Sequence, residues 1–154
     1  MRRNDREINA IEELEEIIGK CDVCRIAFAN GDIPYIVTMN FGYSGGEERK
    51  LFFHCAGAGR KLEMAGKNNY VCFQMDTDHE LYGGEQGCDW GMKFRSITGY
   101  GNLSIIKDKT EKVQALDCLM AHYAGRKKFS YNENVLENTI VLELKISEMT
   151  GKKK

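Results

Sequence analysis

Nowhere in these 154 residues do about 18 apolar side chains run together, and the basic start, MRRNDREINAIEELEE, has no apolar stretch behind it. A membrane-spanning helix is thereby excluded, and the expectation is a cytoplasmic chain without a signal peptide. Charge of one sign is lacking too: 22 Lys and Arg against 23 Asp and Glu leave a net charge of -1. No broad field steers nucleic acid or an acidic membrane, so any anion site must be local. No Gly-x-Gly-x-x-Gly follows a strand, which leaves a nicotinamide without a domain of its own. Only three histidines occur, His54, His79 and His122, at a spacing that matches no metal triad, so no metal site is expected. There is no internal repeat, no linker and no sign of a second domain.

What is present suits one ordinary globular core. Hydrophobic residues make up 42% and charged residues 29%, and a chain of this length buries roughly 68–70% of its unfolded surface on folding. That core needs no disulfide staples, so the six cysteines (Cys21, Cys24, Cys55, Cys72, Cys88, Cys118) read as thiols. Cys21 and Cys24 form a Cys-x-x-Cys. In a redox protein that motif opens a helix, and in a zinc site it wants a second ligand pair. Here it precedes RIAFA, so Cys24 reads as a small buried hydrophobe.

Residues 5 to 18 pattern as an amphipathic helix, with Asp5 as N-cap, apolar Ile8, Ile11, Leu14, Ile17 and Ile18, and Gly19 at the stop. The period then changes. CRIAFA, IPYIVTMNF, KLFFHCA and YVCFQMD are β-branched and aromatic runs of strand length, and Asn30-Gly31-Asp32 joins the first two as a hairpin. A short helix fits between Ala58 and Lys67. After the turn-rich GGEQGCDW, MKFRSITGYGNLSII is one long strand whose Gly99 and Gly101 permit bending. A helix over 108–123 starts at Asp108 with Glu111 as its box partner. NTIVLELKIS is the last strand, and residues 151–154 read as a disordered tail beyond a single domain over 1–150. Six strands in a meander with flanking helices predict a mainly β fold, a small antiparallel barrel, since the β–α–β alternation of a parallel sheet is missing.

The most informative segment is LFFHCAGAGRKLEM. An apolar strand ends at small flexible residues, and Arg60 and Lys61 fall in the first turn of a short helix, where free N–H groups and two cations suit a phosphate. An isolated Arg-Lys pair also occurs as plain solvated surface. In PYIVTMNFGY, Thr38 and Asn40 alternate with apolar residues and share a face. That face either looks into solvent or, with the backbone of Val37 to Asn40, hydrogen-bonds the rim of a planar, amide-bearing heterocycle such as isoalloxazine. His54 is either a packed strand-end histidine or a proton source near neutral pH. His79, after Asp76 and Asp78, and His122, ending a helix, read as structural. Met39, Met64, Met75 and Met92 read as core filler.

Taken in order, MRRNDREI, CDVCRIAFANGDIPYIVTMNFGY, FHCAGAGRKLE, NNYVCFQMD and CDWGMKFRSITGYG, about two-thirds of the chain, resemble the FMN-binding split-barrel superfamily. The likeness is to its nitroimidazole-resistance branch, relatives of pyridoxamine 5′-phosphate oxidase. The resemblance implies a six-stranded antiparallel split β-barrel that dimerises with itself and holds FMN at the dimer interface. It implies that Arg60 and Lys61 bind the FMN phosphate, that Val37, Thr38, Met39 and Asn40 line the ring and ribityl chain, and that His54 and Ala56 sit beside them. Ser96 matches a serine that helps bind the phosphate, with Arg95 beside it, and Trp90 an aromatic that covers the flavin from the partner subunit. His54 takes the place of a histidine suggested as proton donor or substrate contact. The basic residues that grip the phosphate of a vitamin B6 substrate are not recognisable, which argues against vitamin B6 oxidation.

Two functions stay open at this level. One is an FMN-dependent oxidoreductase carrying electrons from NADH, NADPH or another donor to a small acceptor, a nitroaromatic or quinone. The other is a non-catalytic protein that stores or senses flavin. Some split-barrel relatives handle haem or a deazaflavin, although no axial pair for haem stands out beyond His54 and the scattered cysteines.

Overall fold

The computed structural model describes residues 4–125 and 129–154. Along the chain these form β1 (Glu7–Ile8), α1 (Ile11–Lys20), β2 (Cys24–Asn30), β3 (Ile33–Met39), β4 (Gly42–Ser44), β5 (Lys50–Ala56) and α2 (Arg60–Lys67). There follow β6 (Tyr70–Tyr82), β7 (Gly91–Ile105), α3 (Lys109–Ala124), α4 (Glu133–Asn138) and β8 (Thr139–Lys153). All strand pairs are antiparallel, in the order β3-β2-β6-β7-β8-β5-β4, with β1 paired to β8. The six expected strands are the six long ones; β1 and β4 are short additions that periodicity does not reveal.

Side-chain alternation decides which face closes on the core. Cys24, Ile26 and Phe28 of β2, Val71, Phe73 and Met75 of β6, and Leu51 and Phe53 of β5 are buried in one continuous cluster with Ile97, Leu103, Leu142 and Leu144. Their neighbours Arg25, Ala27, Gln74 and Thr98 point outward. Gly31, at φ +58, turns the β2–β3 hairpin. The bend expected at Gly99 and Gly101 is present as a register shift between Tyr100 and Gly101. A Cβ at Gly101 would lie 2.1 Å from the Lys145 carbonyl oxygen, so only glycine lets β7 and β8 approach there. On the outer side, α3 covers β4, β5 and β8. Its Asp108 carboxylate accepts from the Glu111 amide at 2.9 Å, as the capping pattern predicts. Among the described residues no helix is long and apolar enough to cross a membrane.

Both ends of the chain differ from expectation for one reason. The stretch 5–18 is not a single helix: Glu7 and Ile8 pair with Lys152 and Gly151, and α1 begins only after Ala10 and runs through Gly19. Burying Ile8 against the barrel outweighs continuing a helix whose first turn would face water. The same pairing overturns the disordered tail, because residues 151–153 are the end of β8, hydrogen-bonded to β7 as well. Only Lys154 lies beyond the strand.

Candidate functional site

Strand β5 ends at Ala56, and Gly57-Ala58-Gly59 carries the chain into α2. Gly59 sits at φ +136, backbone that favours glycine, and no side chain caps the helix. Its first amides therefore face outward, at the positive end of the helix. Arg60 and Lys61 occupy that first turn. Among the described residues neither makes an ion pair, in contrast to Arg25, Arg49, Lys50 and Arg95. The Arg60 guanidinium instead lies 4.9 Å from the centre of the Tyr35 ring, which ties the helix start to β3. Sequence reasoning missed Tyr35; its place two residues before Val37 on one face of β3 is the signal that finds it.

Strand β3 is the sheet's end strand, with β2 on one side only. The four residues expected to line a ring divide by face. Val37 is half-buried and Met39 is buried, both toward the core, whereas Thr38 and Asn40 are exposed on the outer face. Met39 can therefore present only its backbone to a ligand outside the barrel. On β5, His54 and Ala56 likewise face outward and exposed, paired with Val141 and Thr139 of β8. His54 stands in a cavity between β5, α3 and α4. The donor set thus gathers an uncapped helix start, two free cations, an aromatic ring and an unpaired strand edge. It fits a phosphate joined to a flat hydrogen-bonding ring.

Ser96 lies on β7, and Trp90 just before it. Ser96 pairs with Asp76 on β6 and Lys152 on β8. Two strands separate β7 from β3, which makes three strand spacings, or about 14 Å. Trp90 is 56% exposed near the tip of the β6–β7 hairpin, with its indole N–H donating to the Gly84 carbonyl at 3.1 Å. Arg95 is engaged by Glu16 and Asp78. Its hydrogen bond, with one from Lys20, lowers the Glu16 carboxyl from 4.5 to about 2.

A second polar group on the outer face escaped the sequence. Asp76 accepts from Arg25 at 2.7 Å, Gln74 at 2.9 Å and the His79 imidazole at 2.8 Å. Burial works to raise its carboxyl, but these partners hold it lower than usual. His79 and His122 have the structural roles expected: His122 meets the Cys21 carbonyl at 2.8 Å and packs on Phe41. Cys21 and Cys24 are buried, and no group of three or more metal-ligating side chains occurs among the described residues.

Residues 11–153 match the profile of the family described as pyridoxamine 5′-phosphate oxidase. No curated protein sequence matches. Among solved structures, a candidate 5-nitroimidazole antibiotic resistance protein from Bacteroides thetaiotaomicron is 34% identical, over 96% of this chain and 86% of that one, with a TM-score of 0.83. A flavocytochrome from Azotobacter vinelandii is 16% identical over 100% of this chain and 72% of its own, at a TM-score of 0.82. An FAD-binding protein from Mycobacterium smegmatis is 17% identical over 96% of each chain, at 0.65. The last two share the fold.

Proposed function

The chain belongs to the pyridoxamine 5′-phosphate oxidase family, and on that premise we propose that it is a flavoprotein that binds FMN and passes electrons to a small acceptor such as a nitroaromatic or a quinone. The observation that carries the reading is the α2 start, where Arg60 and Lys61 stand unpaired at an uncapped helix end beside the outer edge of β3. Arg60 and Lys61 hold the phosphate. The β3 backbone from Val37 to Asn40, with the Thr38 and Asn40 side chains, meets the ring's polar rim. His54 and Ala56 flank it from β5. When bound, the flavin supplies the electron transfer; the chain's own part is to orient, to exclude water and, at His54, to hold a proton for the acceptor. NADH or NADPH serves as donor by transient approach, without a domain of its own. Solved relatives named for binding FAD and for nitroimidazole resistance support this reading.

The reading continues to a homodimer. Ser96 stands three strands from the β3 edge of its own chain, and on this reading it and Trp90 complete the partner's site, with Trp90 covering the flavin.

The test is an absorbance spectrum of the purified protein before and after soaking with FMN and desalting. A retained two-band flavin spectrum is expected. Replacing Arg60 and Lys61 together by Ala should weaken FMN binding by several kcal/mol, because charge-assisted phosphate bonds contribute roughly 1.5–3 kcal/mol each. Wild-type protein that stays colourless would overturn the flavin reading, and unchanged affinity in the double variant would move the phosphate elsewhere. Retained flavin with no NADH- or NADPH-driven turnover would favour storage or sensing.

A further inference from the structure

Five arginines lie among the described residues, and four of them are held by carboxylates: Arg6 by Asp5, Arg25 by Asp76, Arg49 by Glu15, and Arg95 by Glu16 and Asp78. Arg60 is the exception, since its partner is the Tyr35 ring. The difference matters for an anion site. A carboxylate fixes a guanidinium but also cancels much of its charge toward any incoming anion. An aromatic face attracts the cation without bringing a negative ion, so it fixes the group and leaves the charge available.

The side chain of Arg60 is held at both ends. At its backbone, the Gly59 carbonyl accepts from the Leu62 and Glu63 amides at 3.0 and 3.3 Å, and buried Met64 seats the helix on the barrel. At its head, the guanidinium carbon lies over the Tyr35 ring, 4.9 Å from the centre. That ring is fixed in turn. Tyr35 stands opposite Phe28 in the β2–β3 register, their ring centres are 5.9 Å apart, and Phe28 is buried in the core. A free arginine loses rotamer freedom when it binds, whereas one already laid on a fixed ring has lost it beforehand, and such preorganisation tightens binding. The ring meets the flat face of the guanidinium, and phosphate oxygens are met by the N–H groups at its edge. The two contacts therefore do not compete. We infer that Tyr35 is the positioning residue of the phosphate site: by aiming Arg60 at the phosphate it sets the preference for FMN over phosphate-free riboflavin. The inference rests on the flavin reading of the α2 turn and adds to it a residue that acts through Arg60.

The test compares the dissociation constants of FMN and riboflavin, read by quenching of flavin fluorescence, for the full-length protein stripped of flavin. Tyr35→Ile should weaken FMN about fivefold, the scale of one exposed cation–π contact, and leave riboflavin unchanged. Tyr35→Phe, which keeps the ring, should bind FMN as the wild type does. With Arg60→Ala in place, adding Tyr35→Ile should cost nothing further, because the two act as a unit. Tyr35→Met, which refills the space without a π face, decides the matter if Tyr35→Ile does not fold. Parallel loss of both flavins, a Phe variant as weak as the Ile variant, or additive losses with Arg60→Ala would overturn the role of Tyr35 and leave the flavin reading standing. If the wild type takes up no flavin, the probe is inorganic phosphate, read by NMR of the Arg60 Nε–H. A saturable shift that weakens in Tyr35→Ile and persists in Tyr35→Phe would keep Tyr35 as the residue that aims Arg60 while the flavin reading falls. A shift indifferent to Tyr35, or none at all, would overturn the inference as well.

Discussion

A thiol's reactivity depends on its thiolate, and the six cysteines divide on that point. Burial, reinforced by the charges of Asp76, Asp22 and Asp78, pushes the Cys21 thiol up to about 12, and burial raises Cys24, Cys55, Cys72 and Cys118 as well. Cys88 alone is exposed. A thiol reagent at pH 8 should modify Cys88 first and leave Cys21 and Cys24 untouched until the protein unfolds, as peptide mapping by mass spectrometry would show. Prompt labelling of Cys21 would revive a redox role for the pair. The Arg95–Glu16 contact is testable by pH. A lowered carboxyl stabilises the fold fully above its unfolded value and loses that contribution as pH falls through the folded one, so the window runs from 4.5 down to about 2. Arg95→Gln should lower the urea midpoint at pH 5 and matter less at pH 3, and less again in high salt, since Glu16 is exposed. An equal loss at both pH values would mean that Arg95 acts through packing. At this scale the sequence spoke clearly for the burial of Cys24 and for the place of Arg60 in the first turn of α2, both set by neighbours in the chain, but not for the Tyr35 ring under Arg60. It was silent on Asp76, whose partner Arg25 lies 51 residues away.

Elements follow the same division between near and far. The strands were legible because alternation reports burial on one face, and the Asp108 cap was legible because it closes on Glu111 three residues later. β1 was not: Ile8 falls in helical spacing with Ile11 and Leu14, and only a strand end more than 140 residues away overrides that local pattern. The tail reading failed with it, since GKKK is polar yet completes a ladder. Removing residues 151–154 should therefore destabilise the whole barrel, not trim a loose end. Ile8 is 2% exposed, and uncovering one such side chain costs about 1.5–3 kcal/mol, to be read as a drop in urea midpoint with an unchanged slope. A truncated protein of full stability would show that β1 and the end of β8 contribute nothing to the core.

At the scale of the whole molecule, the outer sheet face decides whether one chain suffices. Helices cover β4, β5 and β8, but Ile36 is 64% exposed, and Tyr70 and Tyr100 are 45% and 39% exposed while stacked on each other at 6.1 Å. Ile36, Ala27, Cys72 and Tyr100 stand side by side across four strands, an apolar row on a surface that a lone protomer leaves wet. In the proposed homodimer, a twofold axis through such a face would pair it with itself and would offer Ser96 and Trp90 a partner's α2 turn to complete. In the sequence the expectation of a dimer comes only from resemblance, because periodicity along one strand marks the buried face and says nothing about what covers the other. Ile36→Asp sets a carboxylate in the middle of the row, so sedimentation should change from dimer to monomer. If the partner supplies Ser96 and Trp90, FMN affinity should fall with it although Arg60 and Lys61 are intact. A variant that is monomeric yet still holds FMN at wild-type affinity would confine the flavin site to one chain. A wild-type protein that sediments as a monomer would leave Trp90 without a flavin to cover.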